Sequence, residues 1–209
     1  MAKLYFRYGA VGSAKTLNLL AVAHQYERQG KRVLVLKPAF DTRFSAVEIV
    51  SRSGLKRSAD RVLGEGEIPP ADSAAEVDCV LVDEAQVLTQ AQVETLRDWT
   101  LALGVPVICY GLRTDFRSRL FEGSQRLLEL ADTIEEIKTT CAWCNRKATQ
   151  NLKYVDGRAS LDGSVRRLGS EERYQAVCYR HYREQLALSE SVDGLSTGEA
   201  SVAHGGARV

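Results

Sequence analysis

The sequence predicts an α/β fold, in which a parallel sheet carries helices on both faces. Two observations favour this class. Three short apolar runs, KRVLVLKP, VDCVLVDEAQVL and VPVICYGL, have the near-continuous hydrophobicity of strands buried on both faces. Segments with the spacing of amphipathic helices lie between these runs. Strands that alternate with helices in this way form parallel sheets.

The first elements are a strand and a helix. KLYFRYG alternates apolar and polar residues, which is typical of a strand. TLNLLAVAHQYERQG predicts a helix whose apolar face carries Leu17, Leu20, Ala21 and His24, and Gly30 is suited to end it. We expect His24 to pack on this face rather than to bind a metal.

Later segments continue the alternation. TQAQVETLRDWTLALG predicts a helix that starts after Thr89 and ends near Gly104, with Trp99 in the core. FEGSQRLLELAD predicts another helix, and TIEEIKTT alternates like an edge strand. The stretch from Gly64 to Glu76 is rich in Gly, Pro and acidic residues, which predicts a surface connection.

The turn between the first strand and the first helix is GAVGSAKT, which is one residue away from the phosphate-loop (P-loop) pattern G-x-x-x-x-G-K-[ST]. Its position between a strand and a helix is the one that this motif requires, although an ordinary strand-to-helix turn is the alternative. Backbone N–H groups, the ammonium group and the threonine hydroxyl would bind phosphates and Mg²⁺. The predicted phosphate-binding residues are Gly9, Ala10, Val11, Gly12, Ser13, Ala14, Lys15 and Thr16. We expect Ala14, which replaces the last glycine, to adopt helical φ and ψ angles.

An acidic pair follows the second buried run. Asp83 comes directly after the apolar residues 79–82, where an aspartate can hold the Mg²⁺ shell beside Lys15. Glu84 follows it and could accept a proton from an attacking hydroxyl. A solvated strand end is the alternative for either residue alone. The phosphate loop and the acidic pair together favour a nucleotide site, with Thr16 and Asp83 as magnesium ligands.

Two cysteine pairs predict a second site. CAWC and CYRH place Cys141, Cys144, Cys178 and His181 in two short turns, which suits one tetrahedral Zn²⁺. A thioredoxin-like redox pair at CAWC would leave the second pair unexplained. The other two cysteines, Cys79 and Cys109, lie within apolar strands and are expected to be buried thiols.

Composition sets limits on the remaining functions. The 209 residues include 28 basic and 27 acidic residues, and this balance does not favour a nucleic-acid partner. The sequence has neither a long apolar run nor a signal peptide, so we expect a cytoplasmic protein without membrane association. The expected division is a P-loop domain at residues 1–139, a zinc-binding domain at 140–187 and a disordered tail at 188–209.

The chain resembles the cytosolic-type (type II) thymidine kinases, over about residues 4–182. The resemblance rests on the ordered segments YGAVGSAKT, KPAFDTRFS, DEAQ, YGLRTDFRSRLFEGS, CAWCNRKA and ERYQAVCYRHY. It implies a P-loop kinase with a small zinc-bearing lasso domain that transfers the γ-phosphate of ATP to the 5′-hydroxyl of thymidine. It also implies Mg²⁺ with ATP, structural Zn²⁺, feedback binding of dTTP and a homotetramer.

The resemblance also assigns roles to individual residues. It implies that Glu84 is the general base and that Gln86 and Arg43 line the phosphate side. Val11 stands where members commonly have methionine near the thymine methyl group. The implied nucleoside-binding residues are Leu112, Phe116, Phe121 and Tyr174, together with Val165, Arg166, Arg167, Leu168 and Gly169 of the lasso. On the sequence alone the aromatic residues could be core or packing residues, and Arg43 could be a surface charge.

Two other functions fit parts of the sequence. A small ATPase that acts on nucleic acid could use the same phosphate loop. Glu84 would then activate water, and the region of the cysteine pairs would bind a nucleic-acid strand. However, 209 residues cannot hold two helicase-type lobes. Acidic residues near the cysteines also offset the positive charge that binding to nucleic acid would need. A catalytically weak nucleotide sensor is the third alternative, if Ala14 impairs the loop.

Overall fold

The computed structural model describes residues 1–40, 45, 47–164 and 173–196. The chain forms a mixed α/β structure with one large sheet and two small ones. Its strands are β1 (Leu4–Tyr8), β2 (Val33–Pro38), β3 (Glu48–Val50), β4 (Lys56–Ser58), β5 (Arg61–Leu63), β6 (Cys79–Val82), β7 (Val107–Gly111), β8 (Thr133–Glu136), β9 (Gln150–Val155), β10 (Arg158–Ala159) and β11 (Arg173–Val177). Its helices are α1 (Lys15–Arg28), α2 (Gln90–Ala102), α3 (Glu122–Leu130) and α4 (Tyr179–Ser196).

The large sheet has six strands in the order β5-β2-β6-β7-β1-β8. Every pair in it is parallel, so the predicted fold class is confirmed. The segment TIEEIKTT supplies β8 at one edge, as predicted. β1 and β6 flank the central strand β7, which brings their carboxyl ends to the same edge of the sheet. The phosphate loop follows β1 and the acidic pair follows β6, so the topology brings both motifs together.

Side chains on both faces of the large sheet are buried. One cluster contains Phe6, Leu36 and Val82 together with Leu96 and Trp99 of α2, which confirms Trp99 as a core residue. The other face packs side chains of β2, β6 and β7 against α1. Burial on two faces explains why these strands read as continuous apolar runs rather than as alternating patterns.

Helix α1 buries a face that is rotated from the predicted one and shares only Leu20 with it. Lys15, Leu19 and Ala23, spaced four residues apart, are buried together with Leu20. His24 is exposed, so the prediction that it packs on the core is wrong. The phosphate loop fixes the rotation of the helix, because the inward-pointing Lys15 at its first position sets which residues face the sheet.

Helix α2 begins as predicted. Thr89 is its N-cap, and Thr89 and Gln92 form a reciprocal capping box in which each side chain accepts a hydrogen bond from the other residue's backbone N–H. Gly104 lies just beyond the last turn with φ +67°, a conformation that favours glycine. The stretch before β6 forms a surface connection that includes one short 3₁₀ turn at Ala71–Ser73.

The second sheet is small and antiparallel, with the order β10-β9-β11, and it carries the cysteine pairs at its end. Helix α4 follows it and continues to Ser196, beyond residue 188, where the sequence predicts a disordered tail. Residues 197–209 lie outside the described part of the chain. Within the described residues, none of the helices combines the length and the apolarity that crossing a membrane requires.

Candidate active site

The phosphate loop connects β1 to α1 and contains two left-handed residues. Gly12 has φ +74°, and Ala14 has φ 64° and ψ 28°. The prediction that Ala14 adopts helical angles is therefore wrong. The helix begins at Lys15, so Lys15 and Thr16 occupy its first turn while Ala14 remains outside it as the N-cap. Alternation of left-handed and right-handed residues turns successive N–H groups toward one point, which makes an anion-binding concavity.

Lys15 lies buried beneath this loop. Its Nζ atom is 2.9 Å from the carbonyl oxygen of Ala10 and 3.2 Å from that of Gly9, and 8% of the residue is exposed. Gly9 has no room for a side chain, because an added Cβ would lie 2.3 Å from Ser13 Oγ and 2.5 Å from the carbonyl oxygen of Ile137. The loop therefore places one ammonium group at its centre and requires glycine at its first position.

Thr16 and Asp83 lie side by side, as the sequence motifs predict. The Thr16 hydroxyl is 3.3 Å and 3.4 Å from the two carboxylate oxygens of Asp83, which is 5% exposed. Both are oxygen ligands of the kind that Mg²⁺ prefers, and both lie next to the buried Lys15. This donor set fits a magnesium ion bound with a polyphosphate.

Glu84 has an unusual backbone conformation and a fixed side chain. Its φ of 47° and ψ of 37° lie in the left-handed region, which is uncommon for a residue other than glycine. The amide nitrogen of Gln86 donates a hydrogen bond to the Glu84 carboxylate, while Gln86 Oε1 accepts one from the backbone N–H of Leu112 at 3.0 Å. Gln86 is buried, and Gly111 leaves room for it, since a Cβ there would lie 2.7 Å from Gln86 Oε1. Gln86 thus connects the acidic pair to the loop after β7.

A cleft of about 380 Å³ opens over these groups. It joins the phosphate loop to the acidic pair, to the end of β2 and to the β3–β4 hairpin. Its lining residues are Val11, Gly12, Ser13, Ala14, Lys15, Thr16, Leu17, Lys37, Glu48, Val50, Ser51, Arg52, Ser53, Asp83, Glu84 and Leu112. The phosphate loop, the proposed magnesium ligands and the proposed base therefore share one cavity.

Two of the cations in this cleft escaped the sequence analysis. Lys37 is the second-to-last residue of the buried strand β2 and is 2% exposed. Its ammonium group donates to the carbonyl oxygens of Ser45 and Glu48 at 2.6 and 2.8 Å. Arg52 projects from the β3–β4 hairpin, with Nη1 3.8 Å from the position that a Cβ on Gly12 would take. A lysine at the end of an otherwise apolar run is a visible signal for Lys37, but nothing in the local sequence places the hairpin with Arg52 over the loop.

The predicted nucleoside-binding residues lie partly together. Leu112 lines the cleft, Phe116 is 2% exposed, and the ring centroids of Phe116 and Tyr174 are 6.3 Å apart. Lys153, which the sequence analysis also missed, holds its ammonium group 4.8 Å from the Phe116 ring centroid. Phe121 is half-buried at the N-cap of α3. Arg43 and residues 165–169, which the resemblance places around the substrates, lie outside the described residues.

The four predicted zinc ligands converge at the end of the small sheet. Their ligand atoms all lie within 4.8 Å of one another, which supports a metal site over a redox pair confined to CAWC. Cys144 Sγ is 3.9 Å from Cys178 Sγ, and Cys178 Sγ is 3.5 Å from His181 Nδ1. A tetrahedral zinc site with ordinary bond lengths separates two sulfurs by about 3.8 Å and a sulfur from a nitrogen by about 3.5 Å. The arrangement therefore fits Zn²⁺.

The surroundings of the cluster favour metal binding as well. Burial of Cys141 opposes ionisation, but hydrogen bonds to its sulfur, with that from His181 first, outweigh burial and lower the pKa of the thiol to about 6. A thiolate is the form that binds zinc. The second nitrogen of His181 faces the Glu184 carboxylate at 3.8 Å, in the position of the carboxylate that commonly orients a metal-bound histidine.

The fold and the cleft are those of a P-loop protein with a nucleotide-binding cleft at the carboxyl ends of parallel strands. The sequence model of one family, described as thymidine kinase, matches residues 2–182. The chain belongs to the thymidine kinase family, and its activity is the ATP-dependent phosphorylation of thymidine.

Bacterial relatives agree with this assignment. The chain is 45% identical to the thymidine kinase of Lactiplantibacillus plantarum, over 87% of this chain and 96% of the relative. It is 41% identical to the thymidine kinase of Enterococcus faecalis, over 91% and 99% of the two chains. It is 44% identical to that of Lactococcus lactis, over 87% and 97%. These relatives do not favour the alternative of a nucleic-acid-dependent ATPase.

A likeness to one solved structure is remote. The Pif1 helicase of Candida albicans superposes with a TM-score of 0.38 at 13% identity, over 65% of this chain and 36% of the helicase. A similarity this low carries no conclusion about function.

Proposed function

We propose that the cleft transfers the γ-phosphate of ATP to the 5′-hydroxyl of thymidine, with Glu84 as the general base. The observation that supports this most directly is the single cavity that contains Lys15, the pair Thr16 and Asp83, and Glu84. It lies at the carboxyl ends of parallel strands, where sheets of this type bind their ligands.

In the proposed reaction, the 5′-oxygen of thymidine attacks the γ-phosphorus as the bond to the β-γ bridging oxygen breaks. ADP leaves with the electron pair of that bond, and the hydroxyl proton passes to the Glu84 carboxylate. The N–H groups of the phosphate loop and the Lys15 ammonium group stabilise charge on the phosphates. Thr16 and Asp83 would hold Mg²⁺, which neutralises phosphate charge when it is bound.

Gln86 acts in this proposal by holding Glu84. Its amide group bridges the Glu84 carboxylate and the backbone of Leu112, which lines the same cleft. The carboxylate is therefore kept in one orientation before the substrate arrives. The left-handed backbone of Glu84 costs conformational energy, and such conformations are typical of residues whose side chain must point in one direction for function.

The remaining residues complete the proposed site. Leu112, Phe116, Phe121 and Tyr174 are proposed to form the thymine pocket, and Arg43 to contact the phosphates. The segment from Val165 to Gly169 is proposed to contact the pyrimidine edge. We also propose a structural Zn²⁺ held by Cys141, Cys144, Cys178 and His181, dTTP as a feedback ligand, a homotetramer and a cytoplasmic location.

The first experiment measures ATP consumption with each of the four deoxynucleosides and with single-stranded DNA. Turnover that depends on thymidine is the expected result. Stimulation by DNA without a nucleoside would contradict the proposal and favour the nucleic-acid ATPase.

The second experiment tests Glu84. Glu84→Gln should lower kcat by roughly 10²–10⁴-fold, because the amide retains the shape of the side chain but cannot accept the proton. Glu84→Asp, which keeps a carboxylate, should retain more activity than Glu84→Gln. ATP binding, measured by calorimetry, should stay close to wild type in both. A kcat within about threefold of wild type in Glu84→Gln would remove Glu84 as the base and leave positioning as the source of the rate.

A further inference from the structure

One side chain of the small sheet reaches the phosphate loop. Asn151, on β9, accepts a hydrogen bond from the backbone N–H of Val11 at 2.7 Å and donates one to the carbonyl oxygen of Thr114 at 2.8 Å. The residue is only 4% exposed. Both polar ends of its amide group are therefore used, and they connect two loops that follow different strands of the large sheet.

Asn151 connects a fixed segment, which includes Thr114, to the phosphate loop, which includes Val11. The segment after Thr114 is internally fixed, since Asp115 accepts hydrogen bonds from the backbone N–H groups of Arg117 and Arg119 at 2.8 and 2.9 Å. Val11 directly precedes Gly12, the first left-handed residue of the phosphate loop. Asn151 thus ties the start of the strained part of the loop to a rigid neighbour.

The small sheet and helix α4, which follows it, make further hydrogen bonds to the same segment. Tyr182 donates a hydrogen bond from its hydroxyl to the carbonyl oxygen of Phe116 at 2.7 Å, and Ser118 donates one to Gln150 Oε1 at 2.6 Å. These bonds dock the small sheet against the loop after β7. Neither of these two bonds includes an atom of the phosphate loop, whereas Asn151 bonds Val11 of that loop, and this difference allows docking to be separated from loop positioning.

We propose that Asn151 is a positioning residue that holds the phosphate loop in its anion-binding conformation. The left-handed Ala14 costs conformational energy, so the loop that contains it has to be held by its surroundings. Without the Asn151 oxygen, the Val11 N–H would lose its partner and the loop would populate other conformations. Nucleotide affinity falls in proportion to the fraction of loops that remain competent. This inference rests on the proposed role of the loop as the donor site.

The test compares two variants that each remove hydrogen bonds to the loop after β7, one made by the small sheet and the other by helix α4. Asn151→Leu keeps the approximate size of the side chain and loses both bonds, while Tyr182→Phe loses only the bond to Phe116. Calorimetry with MgADP, without thymidine, should show about tenfold weaker binding for Asn151→Leu. Tyr182→Phe should stay within about twofold of wild type. Equal losses in the two variants, or wild-type affinity in Asn151→Leu, would overturn the inference.

A measurement on the unmodified protein covers the case in which Asn151→Leu does not fold. Amide hydrogen exchange of the nucleotide-free wild type should show a protected Val11 N–H. Exchange of this amide at the rate of an unprotected one would contradict its bond to Asn151. Failure of the donor site itself is distinguishable, because the wild type would then not bind MgADP at all.

Discussion

The substitution Ala14→Gly tests the backbone of the phosphate loop directly. Ala14 has φ 64° and ψ 28°, and its side chain is exposed, so its methyl group contributes little packing. A left-handed conformation costs an L-residue about 1–2 kcal/mol, and glycine avoids this cost. Glycine also loses about 0.5–1 kcal/mol through the greater freedom of the unfolded chain. The net expectation is a gain of roughly 0.5–1 kcal/mol in the free energy of unfolding.

The assay is thermal unfolding of matched variants. For a chain of this size, the expected gain corresponds to a rise in Tm of roughly 1–4 °C. Ala21→Gly is the control, because Ala21 is also exposed but lies within α1, where glycine should cost about 1 kcal/mol. The same chemical change should therefore shift Tm in opposite directions at the two positions. A decrease for Ala14→Gly as large as that for Ala21→Gly would refute a left-handed Ala14.

Nucleotide affinity gives a second measurement on the same variant. The strain at Ala14 is present in the ligand-free loop, and the phosphate-bound loop is expected to keep the same inward-turned N–H groups. The strain then cancels between the free and bound states. ATP affinity of Ala14→Gly should stay within about threefold of wild type even though Tm rises. A larger change in affinity would show that the loop changes conformation when ATP binds.

Three further predictions concern the metal and the cleft. Protein purified without chelator should contain one Zn²⁺ per chain by metal analysis, and Cys141→Ser should lose it. Structural zinc contributes on the order of 10 kcal/mol to folding, and removing one of its four ligands opens the site. After chelation a thiol reagent should label the three cluster cysteines first. Cys79 and Cys109 should react only on unfolding, because burial raises the pKa of Cys79 to about 11 and that of Cys109 further. Rapid labelling of all five cysteines would contradict this prediction. Arg52→Gln should raise the KM for ATP by about fivefold at low salt, the equivalent of about 1 kcal/mol for a partly exposed charge pair. Lys56→Gln removes the same charge from the same hairpin outside the cleft and should leave the KM unchanged. Equal effects of the two substitutions would mean that only net charge matters.

Several features followed from the sequence because their causes are local. The apolar runs predicted the buried parallel strands, and the order of the motifs predicted that the phosphate loop and Asp83 meet at one edge of the sheet. The capping of α2 by Thr89 depends on residues three positions apart, which a linear pattern contains. The two cysteine turns predicted four ligands that do converge, because the tetrahedral requirements of zinc limit which residue types can share a site.

Other features depend on contacts that no local pattern contains. The buried face of α1 was mispredicted because its rotation is set by Lys15 beneath the loop, not by the distribution of apolar residues along the helix. The handedness of Ala14 was mispredicted because the shape of the whole loop determines it, and alanine has no intrinsic preference for that conformation. Both errors arise where the phosphate loop imposes its geometry on its neighbours.

The sequence by itself determined the class of fold and the family, and it supplied the residues proposed here to carry the main chemistry. Only the tertiary structure decided how these residues are held. Gln86 reaches Leu112 across 26 positions, and Asn151 reaches Val11 across 140. Hydrogen bonds of this kind depend on the distance and direction of two groups in space. These are fixed only when the strands of the large sheet have paired and, for Asn151, when the small sheet has packed against it.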